Sequence, residues 1–144
     1  MGLRRDGREA AVQFLFASEL HGQQPQSPEE SAAFWDLHSA KRGAREYAEQ
    51  LVRGVLEHRE EIDRRIAAVA ENYRLERIAN VDRNVLRLAV YEILFTPDVP
   101  PPVAINEAIE IAKKFSAGES KSFVNGILDK IASGAPEKGA RKTA

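Results

Sequence analysis

The sequence predicts an all-α protein, and three observations carry that expectation. Apolar residues recur at steps of three and four through most of the 144-residue chain. No segment shows the two-residue alternation of a half-buried strand, and no internal repeat is visible. The composition is rich in Ala, Leu, Glu and Arg, which favours helix. Three of the seven prolines stand together at Pro100, Pro101 and Pro102, so they punctuate the chain at one point. About seven helices are expected.

The first helix runs from about Arg4 to Leu20. Ala11, Val12, Leu15 and Phe16 sit at helical spacing, and Phe14 widens the face. His21-Gly22-Gln23-Gln24-Pro25 ends it, with Gly22 as a C-terminal cap. In Ser27-Pro28-Glu29-Glu30 a cap, a first-position proline and two acids start a short second helix. Phe34, Trp35 and Leu37 anchor it. The third spans about Ala44 to His58 and turns Tyr47, Leu51, Val55 and Val52 inward. The fourth covers Glu60 to about Tyr73, with Ile62, Ile66, Val69 and Tyr73 on one stripe. Arg74 to Ala79 is a connector with room for a helical turn.

Asn80 or Asp82 caps the fifth helix, whose Val85, Leu86, Leu88, Ala89, Val90, Ile93 and Leu94 leave it apolar nearly all round. Such a helix belongs at the centre. After the prolines, Pro102 or Val103 opens a sixth helix with Ile105, Ala108, Ile109 and Ala112 on one face. Glu110 and Lys114 stand at i,i+4 on it. The polar corner KKFSAGESKS leads to a seventh helix, on which Phe123, Ile127 and Ile131 repeat, with Val124 and Leu128 beside them. Residues 1–132 read as one domain, and 133–144 as a small, polar, disordered tail.

Several function classes lose support. There is no cysteine, hence no disulfide framework or thiolate metal site. The N-terminus lacks the apolar core of a signal peptide, and no apolar run suits a bilayer. Glycines are scattered, with no phosphate-cradling loop. His21, His38 and His58 fall at helix ends or on polar faces without a nucleophile or ligand partner, so neither catalysis nor a metal is expected. The formal net charge of −1 argues against a protein coated in positive charge, but not against a local patch.

Two places could make such a patch. Arg4, Arg5 and Arg8 open the chain, and arginine offers a planar fork to phosphate and a plane to stack on bases. The bland alternative is a solvated helix start. At the second, Lys113, Lys114 and Lys121 bring charge, and Ser116, Ser120 and Ser122 bring donors. Phe123 either stacks on a splayed base or is the first core residue of its helix. Asp82 reads most simply as a cap or first-turn acid.

Val103-Ala104-Ile105-Asn106-Glu107-Ala108-Ile109-Glu110, Ala112-Lys113-Lys114-Phe115 and Phe123-Val124-Asn125-Gly126-Ile127-Leu128-Asp129-Lys130 resemble the NusB family of transcription antitermination factors. So do the segment from Val81 to Glu92 and the opening from Arg8 to Phe16. The resemblance implies two small helical bundles packed side by side and a cytoplasmic, non-enzymatic protein without cofactors. It implies contact between the N-terminal arginines and boxA-type RNA, although Asp6 and Gly7 interrupt the run. It places Glu119 and Phe123 at the RNA, where an acid can accept from base amines. It also implies a face for NusE, a small-subunit ribosomal protein, that includes Phe16 and Asp82.

The expected function is therefore RNA-binding antitermination with NusE and RNA polymerase, chiefly in ribosomal RNA operons. Two other classes stay open. A NusB-like domain also fronts some ribosomal RNA cytosine methyltransferases, for which this chain lacks a cofactor-binding domain. A dimeric structural module without RNA function is the other.

Overall fold

A computed structural model describes residues 2–20, 28–37, 42–70, 74–116 and 118–134. They form seven α-helices and no strand: α1 (Leu3–Leu20), α2 (Pro28–Leu37), α3 (Arg42–Glu57), α4 (Arg59–Val69), α5 (Asn80–Phe95), α6 (Pro101–Phe115) and α7 (Ser120–Gly134). One turn of 3-10 helix, Leu75–Arg77, lies in the connector before α5.

Helix α5 is the shared pillar. It packs on α1 and α3 on one side and on α4, α6 and α7 on the other. Its apolar girth explains this: Val85, Leu86, Leu88, Ala89, Val90, Ile93 and Leu94 are all buried. α1, α2 and α3 make the first bundle and α4 to α7 the second.

Close approach between helices needs small residues. Gly7 on α1 faces the Ala44 carbonyl and the Tyr47 ring, and a Cβ there would lie 2.9 Å from each. The glycine that interrupts the arginine run is thus required by packing. Gly54 on α3 receives the Tyr91 ring in the same way. Helix α2 is held by aromatic rings: Trp35 stacks on Phe14 with centroids 5.2 Å apart, and Phe34 meets both edge-on.

Several local expectations need correction. Ala79, not Asn80 or Asp82, occupies the cap position of α5, and it makes no side-chain cap bond. Pro101 already begins α6, one residue early, because Pro100 supplies the extended cap and both following prolines tolerate the first turn. The buried stripe of α6 is Ala104, Glu107, Ala108, Ile111 and Ala112, which leaves Ile105 and Ile109 at its edges. Helix α7 runs through Ser133 to Gly134, beyond the expected start of the tail. Helix α4 ends at Val69. The expectations for Gly22, Ser27, Tyr73, the Leu37 side chain and residues 135–144 lie outside the described residues. His58 is half-buried and stacked 4.0 Å from Phe95, so it is not simply solvated.

Candidate nucleic-acid interface

The N-terminal arginines separate into two kinds. Arg8 is 4% exposed, and its Nε and Nη2 donate to Glu92 at 2.8 and 3.0 Å. The Tyr47 hydroxyl donates to the same carboxylate at 2.6 Å. Burial pulls the Arg8 guanidinium down, but Glu92 lifts it above the ordinary arginine value. Burial and the Glu92 carboxylate push the Tyr47 hydroxyl up. The expectation that Arg8 meets RNA therefore fails. It is a structural charge joining α1, α3 and α5, and freeing it would strand Glu92 in the core.

Arg4 and Arg5 do face outward. Arg4 reaches Asp98 at 2.7 Å, with the two side chains 53% and 62% exposed. Arg5 grips Glu107 through Nε at 3.1 Å and Nη2 at 2.5 Å and remains 41% exposed. The Arg5 hydrogen bond holds the Glu107 carboxyl below the usual carboxylate value, against the effect of its burial.

The two expected patches are neighbours. Lys114 on α6 donates to Glu9 on α1 at 2.8 Å. This replaces the expected Glu110–Lys114 pair; Glu110 accepts from Lys113 at 3.3 Å instead. The seam between α1 and α6 thus carries Arg4, Arg5, Lys113 and Lys114 together. Each is matched by an acid.

At the α6–α7 corner, Glu119 and Lys121 are exposed and Phe123 is half-buried against the core. Ser120 and Asp82 are both 8% exposed, and Ser120 Oγ donates to Asp82 Oδ2 at 2.8 Å. Asp82 is a first-turn acid of α5, as its simplest reading has it, and the buried pair ties the start of α7 to that turn. Ser116 is half-buried and its Oγ atom is fully enclosed, so it does not present a donor to solvent. A cleft of about 720 Å³ opens beside this pair, between the connector and the corner. Phe123, Glu119, Ser122 and Asp82 line it, together with Arg77 and Ile78. The last two were not singled out in the sequence; a basic residue in a short connector is the only signal Arg77 offers.

Phe16 is half-buried and, unlike Phe14, is not packed against the core. Beside it, the end of α1 is tied to α5 through Glu19. That carboxylate accepts from Arg83 at 2.9 Å, Arg87 at 3.0 Å and Asn84 at 2.9 Å. Burial alone would raise the Glu19 carboxyl, but these donors hold it below the usual value. Among the described residues no group of acids and histidines could hold a metal ion, and no helix is long and apolar enough to cross a membrane.

Residues 5–133 match the model of the NusB family. The chain belongs to the NusB family. The transcription antitermination protein NusB of Geobacter sulfurreducens is 46% identical over 139 residues, 96% of this chain and 100% of that protein. Its counterpart in Trichlorobacter lovleyi is 47% identical over 131 residues, 91% of each chain. Among solved structures, T. maritima NusB superposes with a TM-score of 0.82 and 38% identity, covering 96% of both chains. A crystal structure of the antitermination factors NusB and NusE in complex with dsRNA gives 0.77 and 30%, covering 92% of this chain and 98% of that one. Within the NusB family fold, α5 of the second bundle is the helix that packs on both α1 and α3 of the first.

Proposed function

We propose that this chain is a transcription antitermination factor that binds boxA-type RNA, pairs with NusE, and helps RNA polymerase read through terminators, chiefly in ribosomal RNA operons. The observation that carries the reading is the shared fold with NusB held in a complex with NusE and RNA. This chain supports it with outward-facing Arg4, Arg5, Lys113 and Lys114 along one seam and with Lys121, Glu119 and Phe123 at the adjoining corner. Phe16 offers a half-buried apolar ring for the protein partner. The role is one of binding, not catalysis, and is exercised in the cytoplasm, where transcription occurs. A homodimer is compatible with it but not required.

Titration of a boxA RNA, with and without NusE, against a scrambled RNA tests the proposal. Preferential binding of boxA that strengthens with NusE supports it. Failure to bind any RNA favours a structural module instead.

Two variants refine the interface. Arg4→Ala with Arg5→Ala is expected to weaken RNA binding and flatten its salt dependence by about 0.7 per lost phosphate contact on a single strand. Arg8→Ala is expected to lose stability instead. An unchanged affinity and salt slope for the double variant would remove the N-terminal contact. Phe123→Leu is expected to cost about 1–3 kcal/mol of RNA affinity if the ring stacks on a base. Its stability cost should stay under about 1.5 kcal/mol, because apolar volume is nearly kept. Thermal melts and RNA titrations on one sample check both; a large melting shift with unchanged affinity would make Phe123 a core residue only.

A further inference from the structure

Four cations that face solvent along the α1–α6 seam already hold an acid. Arg4 is paired with Asp98 at 2.7 Å, Arg5 with Glu107 at 2.5 Å, Lys113 with Glu110 at 3.3 Å and Lys114 with Glu9 at 2.8 Å. Two of these pairs bridge distant parts of the chain at the surface. Glu9 comes to Lys114 from 105 residues away and Asp98 to Arg4 from 94. Neither is the sole tie of α1: Arg5 and Arg8 also reach Glu107 on α6, and Arg8 pairs with Glu92 on α5. Arg4–Asp98 is exposed on both sides and Lys114 is 59% exposed against a 20% exposed Glu9, and such solvent-reached pairs contribute little to stability. Their placement therefore asks for another explanation.

We propose that Glu9 and Asp98 are built-in competitors for RNA phosphate, which hold the basic seam neutral until an RNA displaces them. The inference rests on the RNA-binding reading above. It concerns what sets the affinity of that surface. A phosphate that takes Lys114 or Arg4 must break an existing pair and then lie beside the carboxylate it displaced. In water, two like charges about 6 Å apart repel enough to cost roughly threefold in affinity, so the two acids together cost roughly tenfold. The sequence-independent part of RNA binding is lowered in this way, and contacts to bases carry a larger share of what remains. Glu107 differs. Its carboxylate is 12% exposed and also receives Arg8 at 3.4 Å, so it positions Arg5 rather than competing with RNA.

The test compares the full chain with the double variant Glu9→Gln and Asp98→Asn, titrated with boxA RNA and with scrambled RNA from low to high salt. A control variant, Glu57→Gln with Glu60→Gln, removes the same charge at the exposed α3–α4 corner. The expected result is a gain of roughly tenfold at low salt for both RNAs in the double variant. The gain fades as salt rises, and the control gains much less. Unchanged or weaker binding by the double variant would overturn the proposal and make the acids positioning groups. An equal gain in the control would also overturn it, because net charge alone would then account for the effect. Circular dichroism and a melt of each variant confirm that folded protein is compared. If the unmodified chain binds neither RNA, the function proposed above fails and this inference with it. If the chain binds boxA RNA and the variant gains nothing, only the inference fails.

Discussion

Glu92→Ala is expected to be among the most damaging single changes in this protein. The Glu92 carboxylate is 1% exposed and satisfies the Arg8 guanidinium, itself 5% exposed, as well as the Tyr47 hydroxyl. Removing it leaves a buried positive charge with the Glu107 carboxylate and the neutral Tyr47 hydroxyl, each at 3.4 Å. Breaking a buried pair from one side costs about 3–5 kcal/mol. Urea unfolding followed by circular dichroism should show that loss. The paired replacement Arg8→Met with Glu92→Leu is expected to recover most of it, because two apolar side chains need no desolvation of charge. If the single variant loses less than about 1 kcal/mol, Arg8 has found solvent and its assignment to the core is wrong.

Phe14→Ala should have a comparable effect with a different signature. Phe14 is 6% exposed and lies between α2 and the rest of the first bundle, stacked on Trp35 and touched edge-on by Phe34. Deleting a buried phenylalanine side chain costs about 3–5 kcal/mol through lost transfer energy and the cavity left behind. Trp35 is the only tryptophan, so its emission reports on this one contact. The emission should move to longer wavelength as Trp35 gains water, while α5 to α7 keep their helical signal at low denaturant. Unshifted emission together with full stability would mean that α2 is held by something other than these rings.

Much of this fold was legible because it rests on local pattern. The all-round apolar girth of α5 marks it as central. Phe123, Ile127 and Ile131, with Val124 and Leu128 beside them, mark the inner face of α7, although Phe123 is only half-buried, and Phe34 and Trp35 mark the anchor of α2. The site was less legible because its decisive contacts are between residues far apart in sequence. Nothing near Arg8 reveals that Glu92 neutralises it. The spacing of Arg4, Arg5 and Arg8 therefore reads as one patch, although packing divides it. Asp82 reads as a first-turn acid and Ser120 as a donor in a polar corner, and both are buried because the starts of α5 and α7 meet. Lys114 has an acid at i−4 in Glu110, yet it chooses Glu9 across the α1–α6 seam. Gly7 looks like a gap in a basic run and is a packing requirement of α3. Family resemblance pointed to the corner and the N-terminus as regions. It could not say which of their side chains face outward.

The Arg8–Glu92 pair also sets an order of events during synthesis. The two residues are 84 positions apart, so α1 leaves the ribosome long before the carboxylate that its buried arginine requires exists. At about 5–20 residues per second, the wait is roughly 4–17 s. During that time α1 and α3 can associate through Gly7 and Tyr47, but burying Arg8 between them would leave an uncompensated charge. The first bundle is therefore expected to stay open until α5 has been made, which turns a helix of the second bundle into a condition for closing the first. Contacts so distant in sequence are formed late, and mutations that weaken such late contacts act chiefly by speeding unfolding.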